Sequence, residues 1–271
     1  MSVIHVLFIG DIVGNAGMDA VRMFLPSLKQ KHRLDFIIAN GENAMEGKSI
    51  SQQQLQELYD LGVNVVTSGN HIWEKWHIQK LMANEPNLLR PVNYPRENTG
   101  RGFTTVDIGA GGTVGVLNLQ GRTFMNPIDC PFRAAEWAIG RLREKTNIII
   151  VDFHAEATAE KVAMGWFLDG QVSAVLGTHT HVQTADAKVL PGGTGYLTDV
   201  GMSGPYDSVL GMRKDIALRR FLKQTPHKFE MATDDVHLSA VLLEIDITSA
   251  RTLSIQPMTI PEFSRNAEQH H

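Results

Sequence analysis

Asp11, Glu42, Asn43, Asn70, His71, His154, His179 and His181 all lie at or just past the ends of apolar runs that read as strands: FIGD, FIIANGEN, VVTSGNH, IIIVDFH and VLGTHTH. In an open α/β sheet, ligands gather in the crevice beyond the carboxyl ends of the strands. A single Asp after a strand is more often a turn or cap residue, and a single His is more often a packed or surface side chain. Turn chemistry gives no reason for five strand ends to select carboxylate, amide and imidazole donors, so the set describes a metal site. Oxygen and imidazole donors without a thiolate suit iron, manganese or zinc better than copper or an iron–sulfur cluster. In extended structure residues two apart point the same way. His179 and His181 would then both face one metal centre, or two adjacent ones.

The elements that must position these donors alternate. Strands at Val3–Gly10, Phe36–Ala39 and Val63–Thr67 are separated by helical patterns over about 18–31 and 51–61, and a further helix is expected from Trp73 to Asn84. Ser51 is placed to cap the second helix. Such alternation predicts a parallel or mixed sheet with helical crossovers. Residues 100–119 read as an antiparallel hairpin around Gly111–Gly112. A Pro-bearing loop, 121–131, leads to a helix over 132–145, and strands at 147–153 and 172–176 flank a helix over 156–169. Two strands, 182–190 and 194–198, surround the turn at Pro191–Gly193, and the chain ends in strands near 236–247 and 253–259. With no repeat, low-complexity tract or linker, the expectation is one α/β domain over residues 1–271, two mixed β-sheets packed face to face with helices outside.

Bulk properties narrow the class. The 271 residues are 43% hydrophobic and 20% charged with a net charge of −4, so no basic field announces duplex binding. The single cysteine, Cys130, rules out an internal disulfide framework. The N-terminus enters a strand without a basic leader, and no apolar run approaches the ~18 residues of a spanning helix. The expected compartment is the cytoplasm, with no membrane partner. His270 and His271 are left out of the site.

The ordered set Gly10-Asp11, Asn40-Gly41-Glu42-Asn43, Gly69-Asn70-His71, Phe153-His154-Ala155-Glu156 and Gly177-Thr178-His179-Thr180-His181, extended by Tyr196-Leu197-Thr198-Asp199-Val200-Gly201-Met202, resembles the calcineurin-like metallophosphoesterases. More closely, it resembles their YmdB-like branch. The resemblance implies the calcineurin-like fold, a four-layer sandwich, and a cyclic-nucleotide phosphodiesterase. Val13 stands where the broad superfamily has a His, and Glu42 where it has a bridging Asp; both departures are typical of the branch. The resemblance therefore implies two divalent or trivalent metal ions, with Asp11, Glu42, Asn43 and His181 on one and Glu42, Asn70, His154 and His179 on the other. An amide oxygen in place of an imidazole favours iron or manganese, with zinc admissible. It implies hydroxide between the metals attacking phosphorus, and His71, next to the ligand Asn70, as general acid.

Around this centre, Arg122, Phe124, Arg133, Gly201 and Tyr206 are the candidate substrate contacts, through base stacking, phosphate pairing and close backbone approach. The blander expectation for Phe124 is core packing, and for the arginines solvation. Trp73 and Trp76 are expected in the core. Asp152 and Glu156, although near His154, are expected to be structural, Glu156 as a first-turn helix acid. The expected substrate is a cyclic nucleotide or small phosphodiester, 2′,3′-cyclic mononucleotides first, with an RNA-derived source admissible. The resemblance also admits a homo-oligomer. Three alternatives stay open: a phosphomonoesterase or nuclease with the same cluster, a nucleotide- or RNA-binding regulatory protein with little turnover, and a metal kept for stability. The last fits poorly, since structural zinc is normally closed by Cys and His.

Overall fold

The computed structural model describes residues 2–263; His270 and His271 lie outside them. The first half runs β1 (Val3–Ile9), β2 (Asp11–Ile12), α1 (Gly14–His32), β3 (Phe36–Asn40), α2 (Gln52–Asp60), β4 (Val65–Thr67) and, after a short 3-10 turn at Asn70–Glu74, α3 (Ile78–Asn84). The second half runs β5 (Phe103–Asp107), β6 (Thr113–Gln120), α4 (Pro131–Leu142), β7 (Ile148–His154), α5 (Thr158–Leu168), β8 (Ala174–Thr178), β9 (Lys188–Val189), β10 (Gly195–Leu197), β11 (Met202–Pro205), α6 (Lys214–Lys223), β12 (Val236–Asp246) and β13 (Thr252–Ile260).

Among the described residues these strands make two sheets. One has the order β2-β11-β12-β1-β3-β4, with β13 on β12; the other has β5-β6-β7-β8-β10-β9. In the first, β1, β3 and β4 are parallel, and in the second so are β6, β7, β8 and β10. Both sheets also contain antiparallel pairs, β1 with β12 in one and β5 with β6 in the other, and are therefore mixed.

The period-two alternation of strand side chains decides the layering. Ile4, Val6 and Phe8 of β1 meet Val114, Val116, Ile148, Ile150 and Leu176 of the opposite sheet in a buried core between the sheets. Leu7 and Ile9 point the other way, against Val21, Leu25, Leu55 and Leu58 of α1 and α2. On the far side Leu117, Ile149 and Val151 pack on Ala135, Ile139 and Met164 of α4 and α5. The result is the expected helix–sheet–sheet–helix sandwich. Ser51 caps α2 as expected: its Oγ accepts from Gln54 N at 3.2 Å while Gln54 Oε1 accepts from Ser51 N at 3.1 Å, a reciprocal box that satisfies two otherwise orphaned donors.

Three expectations need correction, the first being the strand expected over 182–190, of which only Lys188–Val189 is strand. The helix expected over 73–84 is interrupted: a 3-10 turn ends at Glu74 and α3 starts only at Ile78. The break is at Lys75, whose backbone is extended (φ −124°, ψ 123°), and the turn before it is tied to the site by the N–H of His71, which donates to Glu42 Oε2 at 2.9 Å. Trp73 packs against the core under α3, but Trp76 is exposed. The strand β11 and the helix α6 had no forecast; the sequence of β11, Met-Ser-Gly-Pro, has little strand propensity, and it is held by pairing with β2 and β12. Among the described residues no helix is long and apolar enough to cross a membrane.

Candidate metal centre

The carboxyl ends of β1, β3 and β4 and those of β7 and β8 meet along one edge of the sandwich. A buried polar link ties the sheets there: Asn40, the last residue of β3, donates from Nδ2 to Asp152 Oδ2 of β7 at 2.9 Å. Close backbone approach makes the edge compact. A Cβ at Gly69 would lie 2.1 Å from His154 Cδ2, and one at Gly10 would lie 2.0 Å from the carbonyl oxygen of Gly201. Only glycine fits at either position.

His154 is fully buried at the centre. Thr178 has one hydroxyl proton and donates it to Asp152 Oδ1 at 2.7 Å. Its oxygen is 2.9 Å from His154 Nδ1 and can there only accept, so Nδ1 carries hydrogen. In the neutral ring the lone pair is then on Nε2. That nitrogen faces Glu42 Oε1 at 2.9 Å, Asn70 Oδ1 at 3.1 Å and His179 Nδ1 at 3.0 Å. The Nε2 of His179 is 3.0 Å from Glu156 Oε2, which places the proton of that ring on the outer nitrogen and the lone pair inward. Four acceptors thus converge. One proton can serve one pair of them; a cation can serve all four.

Asp11, at the start of β2, stands on the other side. Its Oδ2 accepts from His179 N at 3.0 Å, and its Oδ1 is 4.0 Å from His181 Nε2. His181 Nδ1 lies 3.3 Å from the carbonyl of Leu210, again leaving the lone pair of Nε2 toward the cluster. The two rings reach these places by a turn and not by the expected strand alternation. The strand β8 ends at Thr178, and His179 and His181 have φ of 102° and 66°. Left-handed backbone at a non-glycine residue costs about 1–3 kcal/mol and persists only when its surroundings impose it. Asp199 supplies part of that constraint, accepting from Thr180 N at 3.0 Å and Thr180 Oγ at 2.8 Å while ion-paired with buried Lys161 at 2.6 Å.

The electrostatics reflect a cluster poised for cations. Burial pushes the Asp11 carboxyl up to about 8, with Asp199 and Glu42 reinforcing it against the pull of His154. Burial also opposes charge on His154, but Glu42, Asp11 and Asp152 outweigh it and raise that ring to about 9. For Glu42 burial is the largest single influence and raises it, yet His154 and His71 together hold the carboxyl down to about 2. Burial and the neighbouring His154 push His179 down to about 3. Buried oxygens without a hydrogen-bond partner among the described residues include Asp11 Oδ1, Glu42 Oε1 and Asn43 Oδ1; of these, Glu42 Oε1 lies 2.9 Å from His154 Nε2. Unpaired buried acceptors are costly, and all three belong to the expected ligand set. The donors fit a metal.

The remaining expected residues are spread around this centre. His71 is half-buried at the mouth, its Nδ1 3.0 Å from Glu74 Oε1. Gly201 is behind Asp11, its carbonyl accepting from Asp11 N at 3.0 Å. Tyr206 donates its hydroxyl to the Met202 carbonyl at 2.9 Å and shares, with His181, a cavity of about 370 Å³. The loop bearing Arg122 and Phe124 leaves β6 beside His154, with Gly121 N donating to the His154 carbonyl at 2.9 Å. Phe124 is 88% exposed at positive φ, not packed in the core. Arg122 and Arg133 are exposed, the latter paired with Glu136. Asp152 and Glu156, expected to be structural, instead orient the two central imidazoles. Lys161 and Glu74 have no signal in the sequence, and Asp199 stands there only as part of the Tyr196–Met202 motif with no role; a buried lysine in a helix of mixed polarity carries no local signal of its partner.

The family model described as "YmdB-like protein" matches residues 7–258. The 2′,3′-cyclic-nucleotide 2′-phosphodiesterase of Bacillus subtilis (strain 168) is 45% identical over 256 residues, covering 94% of this chain and 97% of the relative. Among solved structures, a novel phosphatase from Mycoplasma pneumoniae superposes with a TM-score of 0.90 at 33% identity, covering 96% of this chain and 94% of that one. A hypothetical protein from Thermus thermophilus gives 0.88 at 41% identity, covering 94% and 98%.

Proposed function

The chain belongs to the YmdB-like protein family, and from that premise we propose that it is a metal-dependent hydrolase of phosphoric diesters that opens 2′,3′-cyclic nucleotides. The convergence of Glu42, Asn70 and His179 on Nε2 of His154 carries the proposal. Asp11, Glu42, Asn43 and His181 would hold one ion and Glu42, Asn70, His154 and His179 a second, with iron or manganese favoured by the amide and carboxylate oxygens. When bound, such a pair supplies Lewis acidity to the phosphate oxygens and acidifies a water.

The chain's own side chains do the rest. Glu74 fixes the His71 ring through Nδ1, leaving Nε2 as the nitrogen for proton transfer. His71 then protonates the departing ribose oxygen as the P–O bond breaks and water adds to phosphorus. By similarity to the B. subtilis relative, that oxygen is O2′, and the phosphate stays on O3′. Phe124, exposed on the loop that starts beside His154, would stack on the base, and Arg122 would meet the phosphate.

The test is a side-by-side assay of 2′,3′-cAMP, 3′,5′-cAMP, bis-p-nitrophenyl phosphate and p-nitrophenyl phosphate with protein purified without chelator. The 2′,3′-cyclic diester should be turned over with the highest kcat/KM. A monoester that outruns every diester would make this a phosphomonoesterase instead.

A further inference from the structure

Beside the centre is a cavity of about 820 Å³ between β5, α4 and the segment following α3. The chain as a whole is acidic, yet this cavity is lined by Arg90, Arg96, Arg101, Arg133, Arg141 and Lys145, with Asp129 as its one acidic residue. Arg133 pairs with Glu136 on α4 and Arg141 with Glu144 just past its end; among the described residues the other four have no carboxylate partner. Arg90 is 6% exposed, held by the carbonyls of Pro91 and Asn98, and its Nε–H has no acceptor among the described residues. Trp137 is half-exposed in the same wall, under the Arg96 guanidinium at 5.5 Å and braced by the edge of Phe103. Cations flanking an exposed aromatic are how single-stranded nucleic acid is bound without reading its sequence.

The cavity is joined to the centre by covalent and hydrogen-bonded neighbours. Asn93 in its wall grips Gln120 through both side-chain atoms, at 2.7 and 3.0 Å, and Gln120 is paired opposite His154 in the β6–β7 ladder. From Arg133 to Arg141 the wall runs along α4 for about 12 Å, long enough to meet more than one phosphate of an extended strand. The volume is within the ~300–1,000 Å³ range of ligand pockets, far beyond the needs of one phosphate.

We propose that this cavity seats the phosphodiester backbone of a short single-stranded RNA, the nucleotides on the 5′ side of a terminal 2′,3′-cyclic phosphate. The terminal phosphate enters the His154 cluster while the arginines hold the phosphates behind it and Trp137 stacks on a base. This rests on the phosphodiesterase function proposed above, and it makes the natural substrate the end of a cleaved RNA rather than a free mononucleotide.

Two readouts on the metal-loaded full chain test it. The first is fluorescence anisotropy with a 5′-fluorescein hexauridylate bearing a 3′-phosphate. The second is kcat/KM for a hexauridylate ending in a 2′,3′-cyclic phosphate against that for 2′,3′-cyclic UMP. In the wild type the hexamer should bind and be preferred at least tenfold. The triple variant R101E/R141E/K145E should bind at least tenfold more weakly, with its log–log salt slope reduced by up to about 2. Its kcat/KM for 2′,3′-cyclic UMP should stay at the wild-type level, which also reports that it is folded. W137A should lose about tenfold in hexamer binding. Equal kcat/KM for hexamer and monomer, hexamer binding unmoved by the triple variant, or polyglutamate binding as tight as the RNA would overturn the proposal. A wild type that turns over neither substrate refutes the phosphodiesterase function, and the anisotropy series still decides the cavity.

Discussion

Asp152 acts on His154 through the hydroxyl of Thr178, which donates to the carboxylate at 2.7 Å and accepts from the ring Nδ1 at 2.9 Å. This relay keeps a hydrogen on Nδ1 of a fully buried histidine, so that the inner nitrogen, once it gives up its own proton to a metal, is the donor atom facing Glu42, Asn70 and His179. Outer partners that fix a ligating imidazole typically account for 10–100-fold in metal affinity. Thr178→Val keeps the shape and removes the hydroxyl. It should weaken metal retention about 10–100-fold in a chelator competition while the fold survives; unchanged affinity would mean the relay does not set the tautomer.

Metal binding should release protons. Without a metal, Asp11 is pushed up to about 8 by burial and His154 is held near 9 by its carboxylate neighbours, so both are protonated at pH 7. Ligands must be deprotonated to bind, so loading at pH 7 expels about two protons and affinity rises as pH increases toward 9. Calorimetric titration of chelator-stripped protein with the metal, repeated in buffers of different ionisation enthalpy, counts them. Proton uptake, or affinity falling between pH 6 and 8, would contradict this charge state.

Lys161 and Asp199 form a buried ion pair at 2.6 Å, and the carboxylate also holds the backbone of Thr180 between the two strained histidines. Lys161→Met leaves Asp199 buried without its partner, a change that typically costs about 3–5 kcal/mol. Denaturant unfolding should register a loss of that order together with weaker metal retention. A loss below about 1 kcal/mol would show that the pair does not brace the turn.

Gly69→Ala places a Cβ 2.1 Å from His154 Cδ2 and should displace the ring, abolishing metal binding. Gly140→Ala is the control. It is on the exposed face of α4 with nothing within 4 Å of the added carbon, and it should stabilise by about 0.5–1 kcal/mol through helix propensity alone. Metal retained by the Gly69 variant would show that the ring has room to move.

The sandwich was legible in the sequence because strand periodicity is a local signal, and the candidate donors could be named because strand-end chemistry is one too. Asp11, Glu42, His154 and His179 come together from strand ends and the residues just past them, each of which announces itself. The partners that set their protonation do not: Glu156 reads as a helix-start acid, Lys161 as an ordinary helical lysine, and Asp152 as one polar residue in an apolar strand. Each acquires its role from a contact made across the fold, Lys161 with Asp199 38 residues away and Asp152 with Asn40 112 residues away. The turn at His179–His181 was misjudged for the same reason. Its left-handed backbone is imposed by hydrogen bonds to Asp11 and Asp199, which strand propensity cannot report.

Metal content and turnover, measured on the same preparations of wild type and His71→Ala, decide whether paired cations and a separate proton donor share this edge of the sandwich. The wild type should carry about two ions per chain and hydrolyse 2′,3′-cAMP. His71→Ala should keep the metal and lose about 10²–10⁴-fold in kcat. Loss of metal from the His71 variant would make that histidine a ligand, and undiminished turnover by metal-stripped wild type would show that the cluster is not the hydrolytic centre.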